Sequence, residues 1–263
     1  MAEKKLTEEE IEKISQDLLE KEISKELEGK TQREIDKFMK EKKKIKDEIA
    51  SWVPKTKLGK EVKSGKIKNI DEILDKERKI LEPEIVDSLL NLKSDLCSIG
   101  QSKGKFGGGK RRAWRQTQRK TKEGNKPTFS TMAVIGDEKW HVGIGEGNAT
   151  ETLPARDKAI RKAKLNIIKI IRGDGSFDSV GGGNNSIPFK VSGKSGSVRI
   201  ILIPAAPGTG LVAGDEVKKI LKMAGIQDIY SRTDGRKRTT FNLVKATIDA
   251  LKKTNPQLYG KRK

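Results

Sequence analysis

A mixed α and β chain, with a charged helical arm ahead of two strand-and-helix segments, is what the sequence predicts. Three observations carry that expectation. Residues 1–50 alternate acid and base around a narrow apolar stripe at helical spacing. TFSTMAVIG and KWHVGIGEG are short β-prone runs separated by Asp137 and Glu138, and Pro154 then opens a helical pattern. The glycine-rich stretch 173–186, GDGSFDSVGGGNNS, divides this part from a second set of strands and helices.

Composition narrows the function classes. Of 263 residues 36% are charged and only 33% apolar, so part of the chain is expected to be solvated or partner-bound. The net charge of +20 points to a polyanionic partner. Its distribution is uneven: −2 over 1–50, +1 over 51–100, +9 over 101–130, +1 over 131–189 and +11 over 190–263. A uniformly solvated surface would not segregate charge in this way. One cysteine, Cys97, excludes an internal disulfide framework and a cysteine-cluster zinc site, and reads as a small hydrophobe. One histidine, His141, argues against a histidine-ligated metal or a catalytic triad and reads as a structural strand residue. No apolar run approaches the ~18 residues of a membrane span, and no signal peptide is read at the N-terminus, so a cytoplasmic protein is expected.

Taken in order, Ile11, Ile14, Leu18, Leu19, Ile23 and Leu27 form the stripe of the arm, supported by i,i+4 pairs such as Glu9–Lys13, while the same residues read equally as a mobile charged tail. In segment 51–94, Asn69 is a plausible N-cap for a helix through Leu74, and Pro83 with Glu84 opens a helix to Leu90. The block 101–127, QSKGKFGGGKRRAWRQTQRKTKEGNKP, carries ten basic residues against one acid, Glu123. It reads as a basic, glycine-led segment with Trp114 embedded in the charge. The hairpin follows. The helix after it, PARDKAIRKAKLNIIKII, places Ala155, Ala159, Ala163, Ile167 and Ile170 on one face, small enough at its start for close packing on a sheet. Beyond the linker come strands at 187–191 and in SVRIILIP, a loop, a helix to about Met223, a strand DIYSRT and a helix TFNLVKATIDALKKT capped by Thr239 or Thr240.

Two motifs carry chemistry. In PAAPGTGLVAGDEVKKIL, a strand runs through Pro and Gly into a helix, the setting of many phosphate loops. A nucleotide P-loop needs G-x-x-x-x-G-K-[ST], and no Lys-Ser or Lys-Thr pair occurs here. Asp215 and Glu216 occupy the first helical turn, where they suit the helix dipole and repel a nucleotide. The second motif is the basic block. Lys110, Arg111, Arg112, Arg115, Arg119, Lys120, Lys122 and Lys126 can neutralise phosphates, and Trp114 can stack on an unpaired base. Arg236, Lys237 and Arg238, in GRKRTTFN, form a second basic cluster before the last helix, and Lys194 and Arg199 add to it. No nucleophile, base and oxyanion donor can be assembled from the sequence.

Several of these stretches together resemble the small ribosomal subunit protein five family, in its archaeal and eukaryotic form. GNKPTFSTMAVIGDEKWHVGIGEG is similar to that family's central hairpin, AIRKAKLNIIKIIRG to its following helix, and IPFKVSGKSGSVRIILIPAAPGTG through ALKKT to its C-terminal domain. WVPKTKLGKEVKSGKIKNIDEI with EPEIVDSLL resembles its N-terminal part, so the likeness spans about residues 51–255. The resemblance implies an α+β fold. A double-stranded-RNA-binding-like domain, with a three-stranded sheet and one helix, occupies 95–172, and a C-terminal domain with a left-handed βαβ crossover occupies 187–263. It implies small-subunit ribosomal RNA as the ligand, small ribosomal subunit proteins four and eight as neighbours, and a place near the channel by which mRNA enters. It implies a role in assembly and translational accuracy, with no cofactor and no catalysis. A free-standing RNA chaperone is the runner-up, and a phosphotransfer enzyme of related topology a distant third. Three departures stand out. Asn125-Lys126-Pro127-Thr128 replaces the arginine-rich strand by which the family's hairpin usually begins. Loop 173–186 lacks the cysteines some relatives carry, and Thr150 and Asp157 replace basic residues.

Overall fold

Thr56 stands at the start of α1 (Lys57–Lys63), where its Oγ1 accepts a hydrogen bond from Gly59 N at 3.0 Å and caps the helix. Gly59 therefore lies inside a helix. Glu82 Oε1 accepts from the amides of Lys55 and Thr56 at 2.9 and 2.7 Å, tying this start to α3 (Pro83–Leu89). Between them, α2 (Asp71–Asp75) has Ile70, not Asn69, at its N-cap. The computed structural model describes residues 49, 51–102, 104, 111–174 and 183–255. The expected arm over 1–50 lies outside the described residues save Ile49. In the unit Met1–Trp52, Ile49 and Ser51 are helical, and Trp52 N donates to Ile49 O at 3.3 Å.

Within the unit Val53–Lys263, the first sheet has five strands where three were expected. They are β1 (Lys93–Leu96), β2 (Trp114–Thr121), β3 (Gly124–Gly136), β4 (His141–Ala149) and β5 (Ile167–Lys169). The predicted hairpin is β3 and β4, in register from Phe129↔Ala149 to Gly136↔Val142. The largest departure from expectation is in the basic block: WRQTQRKT is a strand, paired along its full length with β3. Its turn, Lys122-Glu123, closes on Gly124, and Thr121 Oγ1 donates to Gly124 O at 2.7 Å. An arginine-bearing strand thus does lead into the hairpin, one strand earlier than Asn125-Lys126 suggested.

The helix α4 (Thr152–Leu165) ends with Asn166 as its C-cap, six residues short of its predicted end at Ile171. Ile167 and Ile168 leave it because β-branched side chains favour extended backbone, and β4 offers an open edge at His141↔Lys169. The alanine stripe behaves as the sequence suggests. Gly143, Gly145 and Gly147 of β4 face it, and a Cβ on any of them would overlap the backbone of Ala155, Ala159 or Ala163. Thr131 Oγ1 adds a buried bond to Ala155 O at 2.8 Å.

The second sheet runs β6-β7-β9-β8, from β6 (Val191–Ser195), β7 (Val198–Pro204), β8 (Leu211–Val212) and β9 (Ile229–Asp234). Its first strand begins at Val191, where 187–191 was expected, because Pro188 has no amide to give a ladder. β8 and β9 are parallel and joined by α5 (Asp215–Met223), a βαβ unit. The expected loop-to-helix corner therefore contains a short strand. α6 (Thr240–Lys252) completes the fold; Thr239 stands at its N-cap but its side chain makes no cap bond.

One buried cluster joins the two sheets: Met132, Val134 and Val142 meet Ile200, Leu202 and Ile229, with Val217, Ile220, Leu221 and Val244 from the helices. The β3–β4 turn docks on the end of α5, where Glu138 N donates to Met223 O at 3.0 Å. Arg172 donates to Gly225 O at 2.8 Å while its guanidinium lies 4.4 Å from the Trp140 ring centre. The glycine-rich linker is described only at its ends, which pair as Gly173↔Ser186.

Candidate nucleic-acid interface

β3 has thirteen residues, and β4 pairs with it only from Phe129 onward. The tip made by the end of β2 and by 124–128 therefore projects beyond the sheet by roughly 15 Å. Every β2 residue except Thr121 is exposed, an arrangement a core cannot explain. Strand alternation sorts the charges. Arg115 and Arg119 share a face with Lys126, which is the cross-strand partner of Arg119. Trp114 and Lys120 lie on the opposite face, with Trp114 38% exposed. The arginines and the tryptophan are thus separated by the strand, which their spacing in sequence conceals. Lys122 sits in the turn, and Lys126 also meets Glu123 at 3.2 Å, an exposed pair of small worth. Arg111 and Arg112 stand at the hairpin's root, held by the Ser102↔Arg111 bridge and by Gly100 N donating to Arg112 O at 2.8 Å. Lys110 lies outside the described residues.

The second cluster is assembled by the tertiary structure. Lys194 and Arg199 are direct cross-strand partners, and Arg199 in turn faces Asp234. Arg236, Lys237 and Arg238 are exposed in the loop that follows β9. That loop lies against the β6–β7 turn, since a Cβ on Gly235 would overlap Ser197 O. Five basic residues from three places in the chain thus share one end of the second sheet. The hairpin's basic residues belong to the first sheet, so the two groups stand on different sheets.

Two further groups do not stand out in the sequence. Arg156, Lys158, Arg161 and Lys162 are all exposed on α4, although Asp157 stands among them. Their positions all avoid the alanine stripe, which is the signal that could have found them. Arg232, also exposed, stands on β9.

His141 is structural and more heavily engaged than a lone strand histidine. Its Nδ1 is 2.7 Å from Asp137 Oδ2, and its Nε2 is 3.0 Å from Asp71 Oδ1 on α2. Burial disfavours the imidazolium, but the bonds to Asp137 and Asp71 outweigh it and raise the His141 pKa. Burial likewise pushes Asp137 up, yet the His141 bond and backbone amides hold it down to about 2. Asp137 Oδ1 accepts from the amides of Lys139, Trp140 and His141, the turn chemistry its position predicts. Lys169 reaches Asp71 at 3.3 Å and Asp75 at 3.5 Å, so α2 is fastened to β4 and β5.

The remaining motifs carry no chemistry of their own. Cys97 is fully buried, and burial first, then the Glu216 charge, pushes its thiol pKa up. Glu216 accepts from Ser98 N at 2.8 Å, and Gly210 N donates to Asp228 Oδ1 at 2.7 Å, so the PAAPGTG turn spends these groups internally. No group of three or more His, Cys, Asp or Glu among the described residues could hold a metal ion. No described helix is long and apolar enough to cross a membrane.

Two family models match the chain. Residues 113–171 match the family model "Ribosomal protein S5, N-terminal domain", and residues 193–258 match "Ribosomal protein S5, C-terminal domain". The small ribosomal subunit protein uS5 of Nanoarchaeum equitans is 52% identical over 206 residues, covering 78% of this chain and 88% of the relative. That of Hyperthermus butylicus is 46% identical over 205 residues, covering 77% and 89%. That of Staphylothermus marinus is 44% identical over 210 residues, covering 80% and 91%. With most of each relative matched across both halves of the fold, the chain belongs to the uS5 family of small ribosomal subunit proteins, of archaeal type, a structural and non-enzymatic family.

Proposed function

We propose that this structural constituent of the small ribosomal subunit binds ribosomal RNA through the projecting β2–β3 hairpin and through the basic end of the second sheet. The observation that carries this reading is the hairpin: seven of the eight β2 residues are exposed, and three of these, Arg115, Arg119 and Lys120, are basic, in a geometry that serves no core. Arginine at such a tip neutralises phosphates and releases counterions, and it forks onto phosphate oxygens. Arg111, Arg112, Arg115, Arg119, Lys120, Lys122 and Lys126 act there, with Lys110 beside them in sequence. Lys194, Arg199, Arg236, Lys237 and Arg238 act at the second site. Trp114 stacks on an unpaired base on the face opposite Arg115.

The finer roles rest on the family resemblance. Residues 95–172 act as a double-stranded-RNA-binding-like domain, and 187–263 as a second domain whose βαβ unit crosses left-handedly. Small ribosomal subunit proteins four and eight are its neighbours, mRNA passes nearby as it enters the subunit, and assembly and translational accuracy depend on the protein in the cytoplasm. The arm 1–50 supplies a further partner surface. Full-length protein with Arg111, Arg112, Arg115 and Arg119 changed to Ala tests the main reading. Its affinity for small-subunit ribosomal RNA should fall, and the slope of log K against log salt should flatten by about one for each phosphate no longer neutralised. An unchanged slope removes the hairpin from the interface. A ribosomal protein, unlike a free chaperone, should also sediment with small subunits in high salt.

A further inference from the structure

Among the described residues, the helices that pack on the second sheet lie on one face. Gly193 is pressed against the backbone of α6, and Val191, Val198, Ile200, Leu202 and Ile229 are buried in the shared cluster, all pointing to that side. Strand alternation sends the intervening residues to the other face, and the register arranges them in three rungs. The first is Ile203, Tyr230 and Val212. The second is Ser192, Ile201 and Arg232. The third is Lys194, Arg199 and Asp234. Successive rungs lie two residues apart, about 7 Å along the strands.

We propose that this helix-free face seats unpaired nucleotides, with Tyr230 as the stacking platform and Arg232, Arg199 and Lys194 holding the phosphates. Tyr230 is 46% exposed and Val212, beside it on the edge strand, 47%. An aromatic ring left in solvent on an open sheet offers a π-face to any base. The charge on the three rungs decides between occupants. Three cations stand against one acid, Asp234, which is 3.6 Å from Arg232 and leaves the face net positive. An apolar protein partner would not call for that excess, whereas a strand of RNA needs both the platform and the cations. The geometry also fits single strands, because the three cations occupy two adjacent rungs next to that of Tyr230, within reach of one backbone. The inference rests on the reading of the chain as an RNA-binding ribosomal protein, and it adds a site that reads bases by stacking.

The test uses full-length protein and a fluorescein-labelled oligouridine octamer, followed by anisotropy. Measurements are made in the R111A/R112A/R115A/R119A background, so that the hairpin does not mask the sheet. Tyr230→Ala should weaken binding about tenfold, while Tyr230→Phe stays within about twofold, since stacking needs the ring and not the hydroxyl. Arg232→Ala should lower the salt slope by about 0.7, the single-strand value for one phosphate. Tyr230 is half-exposed, so the melting temperature should stay near that of the parent and show that the fold survives. Equal affinity of the Ala and parent proteins for the octamer would overturn the proposal. So would ultraviolet cross-linking in assembled subunits that joins Tyr230 to a protein and not to ribosomal RNA. Failure of the hairpin reading appears separately, as an unchanged salt slope with structured ribosomal RNA and native Tyr230.

Discussion

Gly145→Val should destabilise the protein by about 3 kcal/mol or more, with the melting temperature falling by roughly 6–12 °C. The Cβ it introduces would overlap the backbone of Ala159 and Ala163 and lie 2.8 Å from Lys162 C. Those are main-chain atoms of one helix, so no rotamer change relieves the overlap; α4 as a whole must lift from β4. Lifting it opens the close approaches at Gly143 and Gly147 and breaks the buried Thr131–Ala155 bond. Ala159→Gly should not rescue the variant, because the obstacle is the Ala159 carbonyl and not its methyl group. Leu153→Ala, at an exposed α4 position, is the control and should change stability by no more than about 0.5 kcal/mol. Thermal unfolding followed by circular dichroism measures all three. A Gly145→Val protein melting within about 2 °C of the parent would show that the helix does not sit as close as described.

The second large effect is expected at the Asp137–His141–Asp71 cluster. Asp137→Ala leaves the imidazole and three backbone amides without their acceptor in a site where the Asp137 side chain is only 9% exposed. Breaking one partner of a buried pair costs about 3 kcal/mol or more. The pH dependence has two limbs of opposite sign. His141 has a raised folded pKa, so its contribution is complete below its ordinary value near 6.5 and disappears as pH rises through the folded value. Asp137 is lowered from 3.8 to about 2, so its contribution is complete above 3.8 and lost as pH falls toward 2. The cluster therefore stabilises most between these limbs, in mildly acidic solution. His141→Gln should abolish the alkaline limb, leaving a melting temperature that no longer falls as pH rises above about 6.5. Persistence of that limb in His141→Gln would assign it to other groups.

Much of the fold was legible because its signals are local. The β3–β4 hairpin, the alanine face of α4, and the helices α5 and α6 all follow from periodicity within a few residues. The helix start after PAAPGTG is local too: Asp215 and Glu216 stand in the first turn of α5, as the sequence indicated. The errors fell where long-range pairing overrode local preference. WRQTQRKT reads only as part of a basic segment because it has almost no apolar alternation, yet pairing with β3 from Trp114↔Thr131 to Thr121↔Gly124 makes it a strand. Ile167 and Ile168 continue a helical pattern but pair with β4.

The candidate interface divides in the same way. The sequence by itself determined that the excess positive charge lies in residues 101–130 and 190–263, since net charge depends on composition and on nothing else. The same holds for the absence of a P-loop lysine, a matter of residue identity. Only the tertiary structure decided that Arg115 and Arg119 share a face which Trp114 does not. It alone brought Lys194 and Arg199 beside the 236–238 loop, and His141 against Asp71, seventy residues away. The reason is physical: a face is set by strand register, and register is fixed by burial and pairing between segments distant in the chain.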